Sequence, residues 1–208
     1  MIAFNYRWHL ISAYLITLNV AIWLGLPVQI LILPFFVLLW QLSWLSMLAV
    51  LIFTFSLGNT ISGFLLMGIF MGFDLPDIDI SRSWISHRLL GLGHVIGRLI
   101  SHRGITHSLF ALVFLTAISA SLDGVLRIPW SFTLGLGVSY LTHLLGDYLY
   151  NPQCKHRSPG IQLWWPSKRK ARATWTDGHP WLTKLLLGVF PFVFLIMQLL
   201  YSAHVVLP

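Results

Sequence analysis

The sequence predicts an all-α fold, a polytopic bundle of transmembrane helices. Hydrophobic residues make up 57% of the 208 residues and charged residues only 9%, whereas soluble domains average about 25% charged residues. Apolar runs recur along the whole chain, and about 20 apolar residues suffice to cross a bilayer. A single cysteine excludes an internal disulfide. We therefore expect one membrane domain over residues 1–208.

The apolar runs give the expected helices in order. The first, 10–26, follows Arg7 and has no small-residue cleavage signature after it, so we interpret it as a retained helix. In the third run, Gly68 and Gly72 allow another helix to approach closely. Thr106 or Ser108 is expected to cap the fourth. The remaining runs cover 28–57, 61–73, 106–122, 130–150 and 185–201. Run 28–57 is long enough for one tilted helix or two shorter ones.

The net charge of +7 comes largely from two basic loops, 74–105 and 151–184, that separate apolar runs. Anionic headgroups and the positive-inside rule account for this pattern, so we expect membrane lipids as partners and no nucleic acid. Both loops and the N-terminus are expected on the cytoplasmic face. That requires an even number of crossings between His9 and Asp77, which holds if run 28–57 is a hairpin or if run 61–73 does not span.

The segment from Asp74 to Ser108 concentrates the polar chemistry. It holds three of the six acidic residues and four of the nine histidines. Two carboxylates 4 Å apart repel by about 4 kcal/mol at an effective dielectric near 20, so a cation is expected among Asp74, Asp77 and Asp79. A metal ion suits the mixture of aspartate and histidine, and nearby arginines are the alternative. Pro76 is expected to place the carboxylates in a loop, with Asp74 as an ordinary loop residue.

Four segments carry candidate metal ligands, and they are expected to meet at the cytoplasmic ends of the helices. The candidates are His9, Asp77, Asp79, His102, His107, His143 and Asp147. His143 and Asp147 are four apart and share one helix face. Imidazole and carboxylate favour zinc, manganese or iron over copper(I), and this set could hold one to three ions. Each candidate also has a structural alternative. His9 could be an interfacial histidine, Asp77 and Asp79 could pair with arginines, and His102 and His107 could cap or pack helices. His143 and Asp147 could form a structural hydrogen bond with each other.

Four motifs carry a resemblance to a known family. They are L-P-D-I-D at 75–79, S-H-R-G-I-T-H-S-L at 101–109, Y-L-T-H-L-L-G-D at 140–147 and S-P-G-I-Q-L-W-W-P at 158–166. In this order, over about half of the chain and with His9, they resemble the YdjM-type family of bacterial inner-membrane metal-dependent hydrolases. That family is distantly similar to the zinc-dependent phospholipase C and nuclease superfamily. Ile80 stands where the family usually has a histidine, and His156 or Cys154 are the candidates to compensate.

The resemblance implies a protein of the bacterial inner membrane with a multinuclear zinc site that hydrolyses a phosphoester. Combined with the residues, it predicts a zinc-dependent hydrolase, with manganese as the alternative ion, that acts on a phosphoester such as a phospholipid headgroup. Arg103 lies between two histidines and offers bidentate donors to a phosphate, and Asp79 is the second residue predicted to take part in catalysis. The alternatives are a metal-binding scaffold or a partner-binding protein without activity. A metal transporter would place its ligands near the bilayer midplane.

Overall fold

The structure, a computed structural model, describes residues 2–26, 52, 54, 59–79, 105–149, 161–162, 170–171, 182 and 184–206. For residues 2–9, 79, 161–162, 170–171 and 201–206 it describes the backbone alone. Within these ranges lie α1 (Ile2–Trp23), α2 (Thr60–Asp74), α3 (Leu109–Leu126), α4 (Ser131–Leu149) and α5 (Phe190–Val206). The predicted all-α class is confirmed. One short addition is an antiparallel ladder between β1 (Ile161–Gln162) and β2 (Lys170–Ala171).

Helices α2 and α4 form the tightest pair among the described elements. A Cβ at Gly68 would collide with the carbonyl oxygen of Phe132, and one at Gly72 with that of Leu136. Gly135 on α4 meets the backbone of α2 in the same way. The close approach that the G-x-x-x-G spacing predicted is therefore present, and its partner is α4. Glycines allow backbones to touch because they have no side chain to separate them.

Two serines tie the same pair of helices together and fix their direction. Ser131 Oγ donates to the carbonyl of Ile61 at 2.8 Å, and Ser139 Oγ donates to the carbonyl of Ile69, also at 2.8 Å. The partners advance together along both chains, so α2 and α4 run parallel. Both helices consequently end at the same end of the bundle.

Helix α1 runs antiparallel to α2. Leu10 and Ala13 share a buried cluster with Phe73, near the end of α2, whereas later residues of α1 pack with Leu65 and Leu66. The start of α1 and the end of α2 therefore lie at one end of the bundle. The end of α1 and the start of α2 both lie at the opposite end of the bundle. This arrangement agrees with the even number of crossings expected between His9 and Asp77. Run 28–57, on which that count depends, lies almost entirely outside the described residues.

Helix α5 packs against α1 after a π-helical turn, Leu185–Val189. The Asn19 side chain of α1 donates to the carbonyls of Leu15 at 2.8 Å and of Pro191 at 2.9 Å. Leu195 of α5 is buried in the cluster of α1 and α2. These contacts attach α5 to the bundle through α1.

Ser108 caps α3 and closes the turn before it. Its hydroxyl accepts from the amide of Ala111 at 3.2 Å and donates to the carbonyl of Ile105 at 2.5 Å. Of the two predicted caps, Ser108 is thus the one used. Arg127 ends α3 in the left-handed conformation, with φ of 55°, and the chain turns back into α4.

Helix α3 is apolar and largely uncovered by protein. Only 6% of Leu109–Leu126 is buried, against 56% of Thr60–Ile78. By length and composition, these two are the helices in the described part of the chain that could cross a membrane, and Leu10–Trp23 and Leu185–Leu200 are shorter apolar helices. A helix that is apolar on its exposed sides suits surrounding lipid better than water.

The prediction of a loop around Asp77 is wrong. Leu75 has right-handed helical angles, φ −58° and ψ −38°, and its amide donates to the carbonyl of Met71. A 3₁₀ turn, Leu75–Asp79, then continues α2 directly. Pro76 is tolerated because the first positions of a new turn need no N–H donor. Asp74 is correspondingly no loop residue: it is the last residue of α2 and 5% exposed.

Candidate metal centre

Three helix ends meet where the sequence placed its candidate ligands. Asp77 lies in the 3₁₀ turn that follows α2, and His107 ends the 3₁₀ turn Ile105–His107 that precedes α3. His143 and Asp147 lie on one face near the end of α4. Because α2 and α4 run parallel and α3 runs antiparallel to α4, these four side chains converge at one end of the bundle.

Both imidazoles face both carboxylates. His107 Nε2 lies 3.3 Å from Asp147 Oδ2 and 3.4 Å from Asp77 Oδ1. His143 Nε2 lies 3.6 Å from Asp77 Oδ1 and 3.7 Å from Asp147 Oδ2. These separations exceed the usual N–H···O length of about 2.7–3.2 Å. They are close to the edge, about 3.4 Å, of a tetrahedron whose corners lie about 2.1 Å from a zinc ion.

The donor set fits a divalent ion. One ligand atom each from Asp77, His107 and His143 lies within 4.8 Å of the others. Imidazole nitrogen and carboxylate oxygen are ligands of zinc and manganese rather than of copper(I). The geometry thus gives a candidate metal-binding group of three residues, and Asp147 Oδ2 lies beside it, 3.3 Å from His107 Nε2.

The imidazoles are buried, and access comes from the side of the carboxylates. The side chains of His107 and His143 are 0% and 3% exposed, whereas those of Asp147 and Asp77 are 11% and 28% exposed. The ring centroid of Phe73 lies 5.5 Å from that of His143, and the centroids of the two imidazole rings lie 5.8 Å apart. Close apolar packing therefore limits how far the imidazole of His143 can turn.

Burial and charge act in opposite directions on His107. Burial by itself lowers the pKa of this imidazole, but the carboxylates of Asp147 and Asp77 raise it, and the result is a pKa of about 9 in place of 6.5. The metal-free imidazole is therefore protonated at neutral pH. A metal ligand must be deprotonated, so an ion in this position replaces a proton.

The other predicted site residues are placed only in part. His9 lies in α1 next to Leu10, which packs with Phe73, so its backbone is at the same end of the bundle. The backbone of Asp79 ends the turn that carries Asp77. The side chains of both, together with His102, Arg103, Ile80, Cys154 and His156, lie outside what the structure describes.

The sequence reading missed Tyr140. This side chain is 1% exposed, and its hydroxyl donates to the main-chain carbonyl of Thr106, the residue before His107. Its spacing was informative, because residues three and four apart share a helix face. Tyr140, His143 and Asp147 therefore form one row along α4.

The fold and the site together define a class: a membrane protein of apolar helices with a histidine–aspartate centre at one end of the bundle. The chain matches the YdjM inner membrane protein family over residues 44–207. It belongs to that family, which confirms the resemblance carried by the four motifs and supports an inner-membrane location.

Two curated relatives give the extent of the similarity. The inner membrane protein YdjM of Escherichia coli (strain K12) and that of Shigella flexneri are each 34% identical to this chain over 104 residues. The matched region covers 47% of this chain and 47% of each relative, so the chain spans about half the length of the curated relatives it matches. No solved structure matches this chain.

Proposed function

We propose that this protein is a membrane-bound, metal-dependent hydrolase that cleaves a phosphoester of a phospholipid headgroup. One observation carries the proposal: two buried imidazoles each face the same two carboxylates at 3.3–3.7 Å. A hydrogen-bonded structural cluster would draw these atoms closer, whereas ligands around a shared ion are held at about this separation.

In this proposal His107, His143, Asp77 and Asp147 hold a divalent ion, with zinc preferred and manganese as the alternative. When bound, such an ion polarises a phosphoryl oxygen and lowers the pKa of water, to about 7 for zinc. The imidazoles are buried, so substrate approaches from the side of Asp77, which is partly exposed. Arg103 orients the phosphate with its bidentate donors. His9, Asp79 and His102 supply further ligands if the centre holds two or three ions, and Asp79 is the further catalytic candidate.

The choice of a membrane lipid as substrate rests on α3. His107 precedes this helix directly, and the helix exposes apolar side chains along its length, with Phe110 and Phe114 stacked 5.9 Å apart near its start. A phospholipid whose acyl chains lie along α3 would bring its phosphate to the level of His107. The basic loops then lie on the cytoplasmic face of a multi-pass protein, where they attract anionic headgroups.

A metal-binding scaffold without activity is the second candidate. The complete burial of His107 favours it, because structural metal sites are closed and keep no open position. Transport is less favoured, since the group lies at an end of the bundle and transporters bind near the bilayer midplane.

The test uses the full chain in lipid nanodiscs. Bound metal is counted by mass spectrometry, and turnover of bis(p-nitrophenyl) phosphate and of phospholipid vesicles is followed with and without added zinc or manganese. We compare the wild type with Asp79→Ala, His143→Gln and Asp147→Asn. Asp123→Asn is the matched control, because Asp123 lies on α3 far from the centre and its carboxyl accepts from Thr133 at 2.6 Å, a bond that asparagine can keep.

Stoichiometric metal and metal-dependent turnover, both reduced in the site variants and kept in the control, support the proposal. Stoichiometric metal without turnover favours the scaffold. A wild-type protein that binds no metal overturns both.

A further inference from the structure

We propose that Tyr140 is a positioning residue for the metal centre, whose hydroxyl ties the turn carrying His107 to the helix carrying His143 and Asp147. This inference rests on the proposed metal site, and it adds a residue that sets the spacing of that site's donors.

The tie joins two elements that approach from different parts of the bundle. The hydroxyl of Tyr140, on α4, donates to the main-chain carbonyl of Thr106. Thr106 is the middle residue of the three-residue turn Ile105–His107, so its carbonyl belongs to the peptide unit that leads into His107. One turn further along α4 from Tyr140 lies His143. This hydrogen bond therefore joins the two elements that carry the imidazoles.

The turn is held to α3 as well as to α4. Ser108 holds it to α3, through the bond from its hydroxyl to the carbonyl of Ile105 at 2.5 Å. That bond does not itself reach α4. The bond from Tyr140 reaches across from α4 to the turn, and it helps to set the 3.3 Å separation of His107 Nε2 from Asp147 Oδ2.

Thr106 also orients the imidazole that follows it. Its hydroxyl oxygen lies 3.3 Å from His107 Nδ1, while Nε2 faces the carboxylates. A partner at the second ring nitrogen fixes the orientation of a ligating histidine, and loss of such outer partners costs about 10- to 100-fold in metal affinity. Tyr140 holds Thr106 in place, and so acts on His107 through it.

Burial of the ring is a separate role that the test must remove. Tyr140 packs in a cluster with Ala111 and Leu144, and a large core residue can matter through packing alone. Tyr140→Phe keeps the ring and removes only the hydroxyl. Ser131→Ala is the matched control, because it deletes another buried hydrogen bond from an α4 side chain to a main-chain carbonyl, that of Ile61, at the opposite end of the helix.

The experiment measures zinc affinity by chelator competition and the visible absorption of the cobalt(II) form, on the full chain in nanodiscs. We expect Tyr140→Phe to weaken zinc binding about 10- to 100-fold and to change the cobalt spectrum. Ser131→Ala should keep the affinity and the spectrum of the wild type. Affinity of Tyr140→Phe within twofold of the wild type, or an equal loss in both variants, overturns the proposal.

A second measurement needs no metal and separates this inference from the metal site. Hydrogen–deuterium exchange of the metal-free protein should be faster in the peptide covering Ile105–His107 for Tyr140→Phe, and unchanged there for Ser131→Ala. Unchanged exchange in Tyr140→Phe overturns the tie itself. A wild type that binds neither zinc nor cobalt, with faster exchange in Tyr140→Phe, overturns the metal site and with it the role of Tyr140 in positioning a ligand.

Discussion

Raising the pH from 7 to 9 is expected to tighten zinc binding at least about a hundredfold. The metal-free pKa of His107 is about 9, so only about one protein in a hundred has a neutral imidazole there at pH 7. Zinc binds the neutral form. Apparent affinity should therefore rise at least about tenfold for each pH unit between 7 and 9, because His143 is a second imidazole ligand that must also be neutral.

The assay is zinc titration against a chelator of known pH dependence, which also keeps free zinc low enough to avoid precipitation. Calorimetry in buffers of different ionisation enthalpy should count at least about one proton released per ion at pH 7. His107→Gln is the control, since it removes this titrating group and should reduce both the slope and the number of protons released while weakening binding. An affinity independent of pH between 7 and 9, with no proton release, would refute the reasoning.

The metal-free protein should respond to pH with the opposite sign. A histidine whose folded pKa is raised stabilises the folded state fully below its unfolded value of about 6.5. That contribution is then lost as the pH rises through about 9. Unfolding temperature measured without metal should decline over this window, and added zinc should reverse the trend. A metal-free unfolding temperature that increases from pH 6.5 to 9 would contradict the assignment of His107.

Three further predictions concern the packing that builds the centre. Gly72→Ala places a methyl group against the backbone of α4, so it should destabilise the folded protein by about 1–3 kcal/mol and weaken zinc binding. Gly124→Ala, with open space around it, should do neither. Equal effects of the two variants in thermal unfolding and zinc titration would contradict the close approach. Ser108→Ala removes the cap of α3 and should cost about 1 kcal/mol in reversible unfolding, and no loss would show that the cap is not used. Thr133→Val withdraws the donor from Asp123 and should cost about 1–3 kcal/mol with bound metal unchanged, so that loss of metal in this variant would contradict its distance from the centre.

The helices were predictable because composition and apolar runs determine them. The run 106–122 became Leu109–Leu126, and the run 130–150 became Ser131–Leu149. The shared face of His143 and Asp147 followed from the helical repeat alone, since both residues lie on one element. Local rules of this kind need no knowledge of the partner helices.

The convergence of Asp77 with His143 could not be derived from spacing, because it depends on which helices touch. Glycines at 68 and 72 indicated a close contact but named no partner, and α4 is identified only by its backbone meeting theirs. The loop expected at Leu75 was wrong because a pre-proline preference is weak and the hydrogen bond from Leu75 to Met71 prevailed. Tyr140 went unnoticed because its role depends on a backbone carbonyl, which no sequence motif displays.

The glycine seam between α2 and α4 has a consequence for how this protein responds to variation. Since the metal donors lie at the ends of helices, ion binding and helix packing are thermodynamically coupled. Any ligand that binds only the folded form stabilises that form. A substitution in this seam that displaces the helix ends should thus weaken ion binding, although it touches no donor. Conversely, saturating zinc should rescue variants whose interior packing is impaired.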